Sequence, residues 1–280
     1  MIDPIAALEA IGQLPDAEID IAEAALQFAR IDAPDADWLA ARAHLTLLAR
    51  EAVSAAATIG EDDIVGQTEM LATLIADHHA YRGAATQYEE ADNANLIRVI
   101  ERRRGLPVAL GVIWLHTIAA IGWRGHGVNF PGHFLVAIAD GTITGGSRQV
   151  VIDVFGGGQA LSVPTLRTMI KAFEGERAEL RPGLLRPMGN RAVLLRLQNN
   201  IRTRRHAASD TAGALAATEN ILRIAPDEAW LWREAAGLQQ RLDQVSAAVR
   251  SLTKFLALVP DGDAAIEARG LIGELRSRLN

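Results

Sequence analysis

The chain has 280 residues, 49% of them hydrophobic and 22% charged, with a formal net charge of -6. That balance suits a globular protein with a real core in one large or two modest domains, and it argues against nucleic acid or an anionic membrane as partner for the whole surface. There is no cysteine, which excludes disulfides, thiolate metal sites and a cysteine nucleophile, and fits a reducing, cytoplasmic setting. The N-terminus, MIDPIAALEA, carries an acid at once and no basic segment ahead of an apolar run, so it does not read as a secretion signal.

Residues 1 to about 85 are predicted to be helical. AEIDIAEAALQFARI and ADWLAARAHLTLLAREAVSAAATI place apolar residues three and four apart, and Asp35 or Asp37 can cap the second helix. His78 and His79 are neighbours; on an α-helix they would point about 100° apart and make a poor metal pair, so no metal site is expected. Next comes ADNANLIRVIERRRG. Asp92 or Asn93 can cap a helix that buries Leu96, Val99 and Ile100, with Arg102, Arg103 and Arg104 in its last turn and Gly105 at C′. Residues 105–123, GLPVALGVIWLHTIAAIGW, carry no acid, lysine or arginine. The stretch is borderline for a membrane span and contains Pro107 and His116, so the expectation is a buried core helix from Pro107 to about Ile121.

After Gly122 the period changes. GHGVNFPGHFLVAI reads as strand, turn and strand; ADG at 139–141 is a hairpin signal; TITGG and RQVVIDVF follow as strands before glycines 156–158. Helices followed by an antiparallel sheet make an α+β order. The glycines fit no strand-to-helix phosphate loop, and no cofactor is expected. Within this part His133 follows a Pro-Gly turn into an apolar strand, and Asp153 lies between Ile152 and Val154. If their strands pair, the carboxylate can orient the imidazole, as an acid–base site requires. His126 has no carboxylate at ligand spacing and reads as a surface residue.

From about Arg186 the pattern is helical again. Residues 181–206 contain Arg196, Arg202, Arg204 and Arg205 among seven arginines and no acid, a local reversal in an acidic chain that suits recognition of carboxylates on a protein or peptide partner. Aromatic interleaving for base stacking is scarce, which argues against nucleic acid. IAPDEA and LVPDGDAA put Pro226 and Pro260 thirty-four residues apart, the tetratricopeptide (TPR) period, with Ala214 and Ala248 at equivalent small-residue positions and Trp232 where that repeat often has an aromatic. The domain reading is 1–185, with a helical subdomain over about 1–85, and 186–280.

NLIRVIERRRGLPVALGVIWLH, then PGHFLVAI, then IDVFGGG, then the repeat tail, resembles the bacterial SirB-one family of transglutaminase-like/TPR proteins, over about Asp35 to the end. The resemblance implies an α+β fold: a papain-like transglutaminase core, a helical N-terminal part and an all-α tetratricopeptide-like C-terminal part. In such cores a cysteine starts the buried helix, usually as G-x-C. Here the matching tripeptide is Gly105-Leu106-Pro107, and the interval of fifteen to Gly122 also suits the family. Relatives often have D-P-F-x-G-G where this chain has Asp153-Val154-Phe155-Gly156-Gly157-Gly158. With proline at the nucleophile position, His133 and Asp153 read as a relic pair. The expected function is a non-catalytic scaffold that binds a protein or peptide through its TPR-like region. The alternative is a hydrolase or acyl transferase that keeps the His133–Asp153 pair and uses water, Thr144 or Ser147 as nucleophile.

Overall fold

A computed structural model of the protein describes residues 3–60, 62–86, 88–140 and 148–279. The chain forms two compact units, Pro15–Leu197 and a second made of Met1–Leu14 with Gln198–Asn280. The strand expected over TITGG lies outside the described residues.

In the first unit the helices are α2 (Ile21–Asp32), α3 (Trp38–Ala56), α4 (Ile64–Leu71), α5 (Leu96–Arg102), α6 (Pro107–Ile121) and α7 (Val163–Glu174), and α8 (Asn190–Ala207) begins there. A π-helical turn, Ala72–His78, continues α4. Asp37 caps α3 by accepting from the Ala40 amide, one of the two residues expected to do so. The cap of α5 is a correction: Asp92 and Asn93 lie in a short 3-10 turn, and Asn95 is the N-cap. Its Oδ1 accepts from the Ile97 and Arg98 amides while its Nδ2 donates to the Ala29 carbonyl at 3.1 Å, so one buried amide both starts α5 and ties it to α2. The far end of α5 differs too. Arg103, not a glycine, takes the left-handed C-cap conformation (φ 57°), and Gly105 sits in a short strand.

α6 has apolar residues on every side because it is covered on every side. From Val108 to Leu115 each side chain is buried. Helices α2 and α3 pack on one flank and strands β3 (Gly125–Phe130) and β4 (His133–Ala139) on the other. Contact with the sheet is close at Gly111, where an added Cβ would stand 2.2 Å from the Phe134 ring. Among the described residues no helix is long and apolar enough to cross a membrane.

Five further strands complete the two sheets. β1 (Arg82–Gly83) and β2 (Arg104–Gly105) form a small parallel pair just before α6. β5 (Gln149–Asp153), β6 (Gln159–Ala160) and β7 (Pro187–Met188) join β3 and β4 in an antiparallel sheet of order β6-β5-β4-β3-β7. The turn between β3 and β4 is Pro131-Gly132, and Gly132 has φ 71°, a value that favours glycine. Phe134 faces α6, whereas Val128, Phe130, Leu135, Ala137 and Val151 form a second core with Leu166 and Ile170 of α7. This two-faced burial explains why β4 is apolar at nearly every position instead of alternating.

The second unit contains α1 (Pro4–Gly12), the end of α8, α9 (Thr211–Ile224), α10 (Ala229–Arg241), α11 (Val245–Leu258) and α12 (Asp263–Ser277). Pro226 follows α9 and Pro260 follows α11, so each proline closes a helix at the same point of the 34-residue period. Ala214 and Ala248, the equivalent small residues, are both fully buried. One core cluster of this unit is Ala236, Ala248, Leu252, Phe255, Ala268, Ile272 and Leu275, with Trp232 packed against it.

Candidate functional site

Pro107 is the first residue of α6, and Leu106 before it is extended (φ -70°, ψ 158°) with no side-chain cap. Proline suits this position because its missing amide would have had no partner within the helix. It offers neither a nucleophilic atom nor a backbone N–H for an oxyanion.

Asp153 and His133 are both half-buried. The β4–β5 register pairs Val136 with Ile152, and its continuation sets Leu135 opposite Asp153. Strand alternation then puts His133, Leu135 and Asp153 on the face that α7 covers, while Phe134 points to α6. The two residues thus share a sheet face, yet the structure does not join them. The Asp153 carboxylate accepts from the Phe155 amide at 3.0 Å, within its own turn. Neither ring nitrogen of His133 has a hydrogen-bond partner among the described residues. Thr144 and Ser147, the alternative nucleophiles, lie outside the described residues.

Arg196 is the group that occupies the start of β4. Its guanidinium donates to the Asn129 side chain and to the His133 carbonyl at 2.9 Å, and lies 5.7 Å from the centre of the Phe134 ring. Burial holds its pKa below the usual guanidinium value. Sequence grouped this residue with Arg202, Arg204 and Arg205, but it belongs to the first unit and they to the second. Those three meet acceptors from their own chain. Arg202 pairs with Glu234 and lies 5.1 Å from the centre of the Trp230 ring. Arg205 pairs with Asp210 at 2.9 Å, and Arg204 donates to the Asn200 side chain at 3.1 Å. Two of the four arginines, Arg202 and Arg205, thus meet carboxylates of the same chain.

His126 is a correction. It is 5% exposed, on the face of β3 that carries Val128 and Phe130, and both ring nitrogens lack a hydrogen-bond partner. Its lack of ligand-spaced neighbours signalled no function, but strand alternation with Val128 and Phe130 already pointed inward. Burial lowers its pKa.

A polar cluster that sequence reasoning did not assemble lies between α3, the π-helical turn and the end of α5. Arg103 Nη1 lies 2.6 Å from His44 Nε2, which therefore accepts from it, and Arg103 also donates to the Tyr81 hydroxyl. Burial, then the Arg103 charge, lower the His44 pKa to about 4, and burial raises that of Tyr81 to about 12. His79 Nε2 is 2.6 Å from Glu51 Oε2, and this bond lowers the Glu51 pKa. His78 and His79 do not diverge as expected: their ring centroids are 4.8 Å apart. The turn that ends at His78 is π-helical, wider than an α-turn, and His79 has already left it. The sequence signal was the bare presence of histidine and tyrosine near an arginine triplet.

Comparison with known proteins agrees with this architecture. Residues 39–199 match the model of the transglutaminase-like superfamily, and residues 201–273 match a tetratricopeptide repeat. A UPF0162 protein of Xylella fastidiosa is 29% identical over 202 residues, covering 70% of this chain and 69% of the relative. A UPF0162 protein of Vibrio cholerae is 25% identical over 247 residues, covering 88% and 89%. A shorter stretch of 100 residues is 29% identical to F-box only protein 21 of Mus musculus, covering 35% of this chain and 16% of that protein. With more than half of its length matched by the family model, and with the buried helix, the β4 histidine and the repeat tail in that order, the chain belongs to the transglutaminase-like superfamily, and its transglutaminase-like domain is fused to TPR repeats.

Proposed function

We propose that the protein is a non-catalytic binding protein of the cytoplasm, in which a transglutaminase-like domain serves as a scaffold and the TPR-like unit engages a protein or peptide. The observation that carries this reading is the proline at the head of α6 in a chain without cysteine. The inward turn of the Asp153 carboxylate supports it, since an orienting acid would spend that oxygen on the imidazole.

Within the TPR-like unit, Trp230 and Arg202 are the residues we assign to the partner. Trp230 is 46% exposed, lies against the Arg202 guanidinium and donates its indole N–H to Glu228 at 2.9 Å. Tryptophan and arginine are the side chains that most often dominate binding energy at protein interfaces. Arg202, Arg204 and Arg205 are committed to Glu234, Asn200 and Asp210, so the reading rests first on Trp230.

Two measurements test it. The full chain, screened over amide and ester substrates, is expected to give no turnover; turnover that disappears in His133→Ala would restore the hydrolase reading. Partner retention from extracts of the native cell is expected to drop about tenfold or more in Trp230→Ala. Equal retention would remove the assigned surface.

A further inference from the structure

Three metal-ligating side chains converge in the first unit, away from the head of α6. Glu51 comes from the last turns of α3, His78 ends the π-helical turn, and His79 caps it. One nitrogen from each histidine and one oxygen from Glu51 all lie within 4.8 Å of one another. We propose that Glu51, His78 and His79 form a binding site for a divalent transition-metal ion of the zinc class, with a fourth coordination position open to solvent or to a group from a partner. The proposal stands independently of the binding function assigned to the TPR-like unit.

The distances bracket those of such an ion. Zinc takes imidazole nitrogen and carboxylate oxygen at about 2.0–2.2 Å, so two ligands of one tetrahedral ion stand about 3.3 Å apart. The His79–Glu51 separation of 2.6 Å is shorter than that, and the 4.8 Å limit of the cluster is longer. Opening the His79–Glu51 hydrogen bond by less than about 1 Å admits the ion, and the exposed His78 ring then turns inward to meet it. In this view the short bond between His79 and Glu51 keeps two ligands facing each other until the metal replaces the proton between them.

Chemistry narrows the ion further. Magnesium and calcium take six or more oxygens, which this set does not supply. Two imidazoles and one carboxylate suit zinc and its neighbours cobalt and nickel. The His79 side chain is 11% exposed and Glu51 33%, so two ligands are held by packing and one is free to adjust. His44, whose ring centroid is 5.2 Å from that of His79, is not a fourth ligand, because its Nε2 already accepts from Arg103.

The test is calorimetric titration of the full-length, tag-free chain with zinc chloride, in parallel with cobalt chloride followed by visible absorption. One zinc per chain is expected, with the d–d bands of a four- or five-coordinate cobalt ion. His79→Ala and Glu51→Ala are each expected to weaken binding by about 100-fold, and His78→Ala by about tenfold or more. His78 is exposed, so its variant tests the site without threatening the fold, and circular dichroism confirms folding of the other two. Excess magnesium should leave the bound zinc in place. The proposal fails if zinc does not bind saturably, if binding survives His78→Ala combined with His79→Ala, if magnesium displaces zinc, or if binding is lost instead in His206→Ala, which removes a separate histidine–carboxylate contact, to Glu234.

Discussion

Two corners of the first unit handle their polar groups in opposite ways. In the first, the residues that a family pattern singles out stay apart: Pro107 heads α6, whereas His133 and Asp153 lie on the sheet face that α7 covers and share no hydrogen bond. Between α3 and the end of α5, residues that no pattern joins are bonded in succession: Glu51 to His79, His44 to Arg103, Arg103 to Tyr81. The first corner keeps the residues of a site without its layout or its linkage. The second has linkage without a recognised layout. Position in a pattern and participation in a network are therefore separate properties, and only the second has a direct energetic signature.

Removing one member of each set should expose that difference. Arg103→Ala leaves the Tyr81 hydroxyl and the His44 ring without their shared partner and ends the guanidinium–ring contact, which lies 4.8 Å from the Tyr81 centroid. A loss of about 2–3 kcal/mol is expected in urea denaturation. A loss below about 0.5 kcal/mol would mean that the network adds little beyond packing.

Acid should act on the second corner next. The His44 pKa is lowered from 6.5 to about 4, so the unfolded chain takes up the proton first. Stability from the neutral ring is fully present above pH 6.5 and is lost as pH falls towards 4. After allowance for the partial exposure of His44, about 1–2 kcal/mol is at stake. His126, lowered by burial, acts in the same direction. Denaturation at a series of pH values should therefore show a falling limb below pH 6.5 that flattens in His126→Leu, since leucine removes a buried polar ring without leaving a partner unpaired. A limb unchanged by that substitution would exclude His126 from the acid response.

Smaller effects belong to the first corner. Asp153→Ala removes the bond to the Phe155 amide and should cost about 1 kcal/mol, whereas His133→Ala should stay within about 0.5 kcal/mol. A double-mutant cycle between them is expected to be additive; a coupling above about 0.5 kcal/mol would show that the pair interacts after all. At the limit, Pro107→Cys installs a thiol at the helix start, where its pKa should fall and alkylation should be fast. No ester or amide turnover is expected, because no imidazole is oriented towards it. Turnover dependent on His133 would overturn that geometry.

Much of the fold could be read from the chain because it rests on local periodicity. The uncharged run of α6, the Pro131-Gly132 turn and the 34-residue spacing of Pro226 and Pro260 each specify an element with few neighbours in sequence. The cap of α5 is not legible from local sequence because Asp92, Asn93 and Asn95 are all competent caps, and what selects Asn95 is a carbonyl on α2, 66 residues away. His126 shares a strand face with Val128 and Phe130, and the cover of that face comes from α7, far along the chain. The second corner was invisible for the same reason. Its contacts join residues 28, 59 and 22 positions apart, and no spacing rule links them.

The first helix of the chain carries a consequence for biosynthesis. α1 packs on α9, so closely that a Cβ added to Gly12 would stand 2.2 Å from the Arg223 carbonyl oxygen. A ribosome releases α1 first and its partner about 200 residues later, an interval on the order of 10–40 s at ordinary elongation rates. During that time the buried side of α1, with Leu8 at its centre, has no native cover. The nascent chain must hold this segment out of premature associations until the repeat helices emerge, a demand on chaperones that the finished protein no longer reveals.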